Sequence, residues 1–183
     1  MPSPQSLSED DRRLVAAWAA DCAERVLPLF EAEAPGDDRP RDGINRARAF
    51  SRGESDTAGE IRRRFVAGRA AQSATSAAGK AAAWSAGQAS GVAHMGAHAL
   101  GAAAYAVKAV ELASRQQGGE AEIRWQVEHM SQPVRAALRS LPLLGEDLSG
   151  PLGSGLLASG ALGATIRRLQ AALLDGVPRE PGT

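Results

Sequence analysis

The chain has 183 residues, of which 21 are basic, 21 acidic and 44% hydrophobic, enough for one ordinary domain with a real core. Zero formal net charge removes the simplest argument for nucleic-acid binding, because domains that gather phosphates carry a basic excess. A single cysteine, Cys22, excludes an internal disulfide, and with no leader-like pattern at the N-terminus the expected compartment is the cytoplasm.

The hydrophobic fraction overstates the core, since 38 of these residues are alanine. Alanine removes little area from water but is the strongest helix former. Aromatics are few (Trp18, Trp84, Trp125, Tyr105, Phe30, Phe50 and Phe65) and β-branched residues too sparse to build strands. An all-α fold follows: a compact single-domain array of about six to seven helices, close together around an alanine-rich core. Of the 21 basic residues 19 are arginine, which fits the codon bias of a GC-rich genome such as an actinobacterium's as well as it fits a phosphate-binding surface.

Ser6 or Ser8, followed by Glu9, Asp10 and Asp11, caps a first helix and places negative charge at the positive end of its dipole. Val15, Trp18, Ala19, Cys22, Val26, Leu29 and Phe30 then recur at helical spacing. Pro28 cannot donate to the carbonyl of Glu24, so a kink or local break is expected there. Pro35 to Pro40 forms a turn, and Pro40 suits the first turn of a second helix running to about Arg52. The alanine-rich stretch from Asp56 to Ser114 divides into helices over 57–75, 79–90 and 92–115. Its glycines serve equally well as boundaries or as close helix contacts. After Gly118-Gly119, residues 120–140 carry Ile123, Val127, Met130, Val134 and Leu138 on one face, kinked or split at Pro133. Leu141 to Gly160 is a Gly/Pro/Ser-rich linker, 161–175 a last helix, and Pro178 to Thr183 an expected disordered tail. The division is thus a helical domain over 1–140 and an extension over 141–183. No transmembrane helix is expected, because the apolar run Gly91 to Val107 contains His94, His98 and Tyr105 and ends at Lys108.

His94 and His98, four apart, share one helix face, which Gly101 and Tyr105 continue. Such a pair can supply two zinc ligands, but zinc wants three or four, and the remaining candidates are His129, Glu24 and Asp21. No metal and no cofactor is assigned. The ordinary reading places both imidazoles in a polar seam between helices. The alternative is an acid–base or binding site in which histidine titrates near neutrality and Tyr105 donates a hydrogen bond. Asp21 and Glu24, with Arg39 and Arg41, are candidate surface charges for a partner, and Trp18 and Trp84 candidate aromatic contacts. Cys22 falls on the apolar stripe and reads as core rather than nucleophile. The chain carries no glycine-rich phosphate loop and no nucleophile elbow.

Four segments together carry a resemblance: Trp18-Ala19-Ala20-Asp21-Cys22-Ala23-Glu24; Val26-Leu27-Pro28-Leu29-Phe30-Glu31; Asp37-Asp38-Arg39-Pro40-Arg41; and Ala93-His94 with His98 through Ala106. Over roughly residues 8–135 the chain resembles a bacterial family of immunity proteins, some of whose members carry an exonuclease-subunit label. The resemblance implies an all-α fold and neutralisation of a toxin made by the same or a neighbouring strain. The chain departs from the pattern at Gln72 and Ser73, where members often show a histidine among alanines, at Gly43, and in its extension after about Gly145.

Two functions follow. One is a non-enzymatic binding protein that blocks a cognate protein toxin by occlusion, through acids, arginine and aromatics. The other is a small-molecule enzyme of specialised metabolism, with His94, His98 and Tyr105 facing a pocket between helices. The resemblance favours the first. The expected partner is a toxin or a small-molecule ligand, with no nucleic acid and no membrane, and a homodimer is left open.

Overall fold

The structure, a computed structural model, describes residues 3–63 and 65–175. The sequence's clearest helix is also its longest. Helix α1 (Glu9–Glu31) starts where the Ser8 hydroxyl accepts from the Asp11 N–H at 3.1 Å, and its first turn carries Glu9, Asp10 and Asp11. It runs through Pro28 without the expected break, to a last turn in which Ala32 N–H still donates to the Pro28 carbonyl at 3.0 Å. Proline so near the end forfeits a single backbone bond, and Leu27 and Phe30, both fully buried, hold the final turn in place.

Helix α2 (Arg39–Ser51) has Pro40 in its first turn, as the sequence suggests. Its ion pairs fix its direction: Arg41 meets Glu31 while Arg48 meets Asp21 and Glu24, so α2 runs antiparallel to α1.

The alanine-rich middle departs most from expectation. In place of one helix over 57–75 there are α3 (Thr57–Arg63), α4 (Val66–Arg69) and a 3₁₀ turn over Ala70–Ser73. Gly68 and Gly87 are the physical reason. A Cβ on Gly87 would lie 2.8 Å from the Gly68 Cα, so α4 crosses α5 (Ala77–Gly91) backbone against backbone. Next comes α6 (His98–Ala113), which begins six residues later than the sequence suggests because 92–97 is a turn.

Gly118, at φ +85°, leads into α7 (Gly119–Glu128). Pro133 splits the expected 120–140 helix and stands in the first turn of α8 (Gln132–Arg139), capped by Ser131. After a loop with a 3₁₀ turn at Leu156–Ala158, α9 (Gly160–Leu174) completes the described elements. Among the described residues there are nine α-helices and no strand, rather than six to seven helices. The surplus comes from two splits, one after Arg63 and one before Pro133. The tail from Pro178 lies outside the described residues.

The core is built on the α5–α6 pair, where facing alanines (Ala82, Ala86 and Ala89 on α5; Ala99, Ala102, Ala103 and Ala106 on α6) allow close approach. The fully buried Ser85 bridges the two helices by donating to the Ala102 carbonyl at 2.8 Å. Helix α1 packs across both, and α9 covers the far side of α6 with Leu162, Ile166 and Leu169. No described helix is long and apolar enough to cross a membrane.

Candidate functional site

Because α5 ends at Gly91 and α6 starts at His98, the turn between them pushes His94 and Met95 out to one side of the α5–α6 pair. A half-open groove of about 710 Å³ forms there. Phe65, Gly68 and Arg69 form its α4 wall, Trp84, Gly87, Gln88 and Gly91 its α5 floor, and His94, Met95 and His98 its end. The fourth side is the loop Ser149-Gly150-Pro151.

That loop is held from the opposite end of the chain. Gln5 is fully buried; its side-chain N–H donates to the Asp147 carbonyl and its Oε1 accepts from the Leu152 N–H, each at 2.8 Å. The Gly96 and Ala97 N–H groups donate to the carbonyls of Ser6 and Gln5, both at 3.1 Å. Residues 5–6 thus tie the groove's turn to its loop.

Inside the groove His98 Nδ1 lies 2.8 Å from Gln88 Oε1. An amide oxygen only accepts, so Nδ1 carries the proton and Nε2 remains as the ring's second polar atom. The His94 and His98 rings are 6.5 Å apart. They do not share a helix face as the spacing suggests, since His94 is in the turn, yet both line the groove. Tyr105 does not line it: it is 5% exposed and stacks behind Trp84 at 6.3 Å, with its phenol pushed above the ordinary range by burial. Trp84, 44% exposed, presents its other side to the groove.

The remaining candidates lie elsewhere. Trp18 is core, its indole donating to the Gln126 carbonyl at 3.0 Å. Asp21 and Glu24 do not meet the histidines; both pair with Arg48. Arg39 pairs with Asp37 at 2.6 Å and also donates to Ser73, while Arg41 pairs with Glu31 at 2.6 Å. Among the described residues no group of three His, Cys, Asp or Glu side chains is placed to hold a metal. His129, weighed as a third ligand, stacks instead on Trp125 at 4.0 Å.

Sequence reasoning missed two arrangements. The groove's Phe65 and Arg69 are four apart, at the start and end of α4, and Trp84 and Gln88 four apart on α5, but only tertiary contact brings the two pairs together. Arg25 lies over the Trp125 ring at 3.9 Å, His129 stacks on that same ring, and the buried Glu122 holds the guanidinium at 3.0 Å. Here a signal existed, because Trp125 and His129 are four apart on one helix. Asp21, Glu24, Arg25 and Trp125 border a shallow cleft of about 210 Å³.

In class, fold and site define an all-α scaffold with a histidine-lined groove on one side and a ridge of paired arginines and carboxylates on another. Residues 5–133 match the family model described as Imm-5 like putative immunity protein, and the chain belongs to that family. No curated protein and no solved structure matches it. The groove's 149–151 wall and α9 lie beyond the matched residues.

Proposed function

We propose that the chain is a non-enzymatic immunity protein that binds a cognate protein toxin in the cytoplasm and covers its working surface. The observation that carries this is the family match over residues 5–133. The face best suited to a protein partner is the one formed by α1, α2 and α7. There Trp125 and Arg25, residue types that dominate binding energies at interfaces, are already stacked and held by Glu122. Beside them Asp21, Glu24, Arg41 and Arg48 stand in ion pairs. Such exposed pairs add little to stability, but they present ordered charge of both signs to a complementary surface. Trp84 lies off this face, in the groove.

The test is co-expression with the products of neighbouring genes. A product that stops growth alone should be tolerated beside this chain and should co-purify with it. Trp125→Ala should weaken the complex by about tenfold or more, as loss of an interface anchor does, without a change in helical content. If no neighbouring product is neutralised and the purified chain steadily turns over a metabolite, the enzyme alternative replaces this assignment.

A further inference from the structure

We propose that the groove between α4, α5 and the 149–151 loop is a binding site for a small organic anion: a flat, apolar body lying along Trp84, with a carboxylate held by Arg69. This rests on the groove alone and not on the toxin-neutralising assignment, so either can fail without the other.

Charge is the first argument. The ionisable side chains among the described lining residues are Arg69, His94 and His98, and no described lining residue is acidic. The chain as a whole carries as many acids as bases. On the α1–α2 ridge arginine is answered by carboxylate: Arg39 by Asp37, Arg41 by Glu31, Arg48 by Asp21 and Glu24. Arg69 makes no such pair among the described residues, which suits an anion arriving from outside.

The site is also built. Gly101 leaves the space that the Gln88 amide occupies, since a Cβ there would collide with Oε1. Gly91 does the same for the His98 ring, which a Cβ would approach to 3.1 Å. Two glycines therefore seat the Gln88–His98 pair, and the hydrogen bond between them fixes the imidazole's proton on Nδ1. Such convergent, oriented polar groups in a mainly apolar cleft of ligand size are what small-molecule sites present.

The apolar surface is planar and supported. Gly68 lets the Trp84 ring lie close to α4, where a Cβ would come within 2.9 Å of Cζ3, and Tyr105 stacks on one face of the indole, which remains 44% exposed. A rigid aromatic face of this kind favours a flat partner, which it can stack on without ordering its own side chain. Met95 and Pro151 complete the apolar lining. The 149–151 wall, clamped by buried Gln5, comes from beyond the family-matched residues, so this enclosure belongs to this chain's own extension.

Indole-3-acetate tests the proposal, against neutral indole-3-acetamide and cationic tryptamine, by amide and indole NMR on the full chain. Indole-3-acetate should bind saturably, with shifts centred on Trp84, Gln88 and His98, and about tenfold more tightly than the acetamide, the difference one charge-assisted contact makes. Tryptamine should not saturate. Arg69→Gln, at an exposed position, should weaken indole-3-acetate by about tenfold with an unchanged melting temperature, and Arg41→Gln on the ridge should leave binding as it was. Equal binding of acetate and acetamide, no saturation by about 10 mM, or shifts centred on Trp125 would each overturn the proposal.

Discussion

Glu33 lies just past the end of α1 and reaches across to the start of α5. Its carboxylate accepts from the hydroxyl of Ser76, the Ser76 N–H at 2.9 Å, the Thr75 hydroxyl at 2.8 Å and the Thr75 N–H at 2.7 Å. These bonds, with the Ser76 hydroxyl contributing most, hold its pKa down from an ordinary 4.5 to about 2. A pKa lower in the folded than in the unfolded chain contributes stability that is complete above about 4.5 and is lost as pH falls toward about 2. Thermal melts across that window should therefore fall less steeply for Glu33→Gln than for the wild type, with the variant less stable at neutral pH. Parallel curves would mean that the carboxylate is as well solvated as in the unfolded chain. At Cys22 the shift runs the other way: burial, with Glu122 and Asp21 adding to it, pushes the thiol well above its ordinary 9.0. The thiol is neutral and enclosed, so a maleimide or disulfide reagent should label it only after unfolding. Labelling of the folded protein at the rate of a free thiol would contradict its burial. This much was legible from the sequence, because Cys22 falls on the same helical stripe as Val15, Trp18 and Val26.

Whether an alanine-rich segment continues or breaks is decided between elements, not within them. Helix α1 was readable because a serine cap, Ser8, marks its start, whereas α5, capped by Ser76, begins two residues before the expected 79. Pro133 and Gly118-Gly119 likewise announced the ends of their neighbours. Nothing local marks the break after Arg63: residues 60–67 hold no glycine and no proline, and the crossing that accompanies the interruption is with residue 87, far along the chain. His94 falls off α6 for a related reason, since the turn at 92–97 is tied down by Gln5 and Ser6, which no window around His94 contains. The crossing of α4 and α5 gives a direct check. A methyl group at residue 87 meets backbone atoms, the Gly68 Cα at 2.8 Å and N at 2.9 Å, and backbone cannot rotate away. Gly87→Ala should cost roughly 1–3 kcal/mol in chemical denaturation, as overpacking does. Gly101→Ala should cost less, because its methyl meets the movable ends of Gln88 and Leu157. At Gly36, where nothing lies within 4 Å, alanine should be close to neutral. If Gly87→Ala is as stable as Gly36→Ala, α4 and α5 are not in backbone contact.

At the scale of the molecule, the N-terminal segment and the 147–152 loop meet over one site. The composition change near residue 140 is real, but packing crosses it, since Ile166 and Leu169 of α9 are fully buried against the helices before it. The groove was legible in part: spacing drew attention to His94 and His98, though for a helix they do not share. The α4 wall, with Phe65 and Arg69, and the 149–151 wall were invisible because tertiary contact alone brings them to the histidines. What holds that assembly is Gln5, which lies 147 positions from Leu152. Gln5→Ala removes the acceptor of the Leu152 N–H in a buried setting and empties the space its side chain fills, a loss of about 2–3 kcal/mol in all. Backbone acceptance of Ala97 N–H by residue 5 survives the change, so the N-terminal segment should keep its place on the turn while the loop loosens. Hydrogen exchange separates the two effects. The Leu152 amide should exchange faster by more than the drop in global stability explains, whereas Cys22 and Val26 on α1 should follow the global value alone. Leu152 is itself fully buried, so its side chain is the competing anchor. If exchange at residue 152 rises no more than at α1, that leucine holds the wall and Gln5 is dispensable.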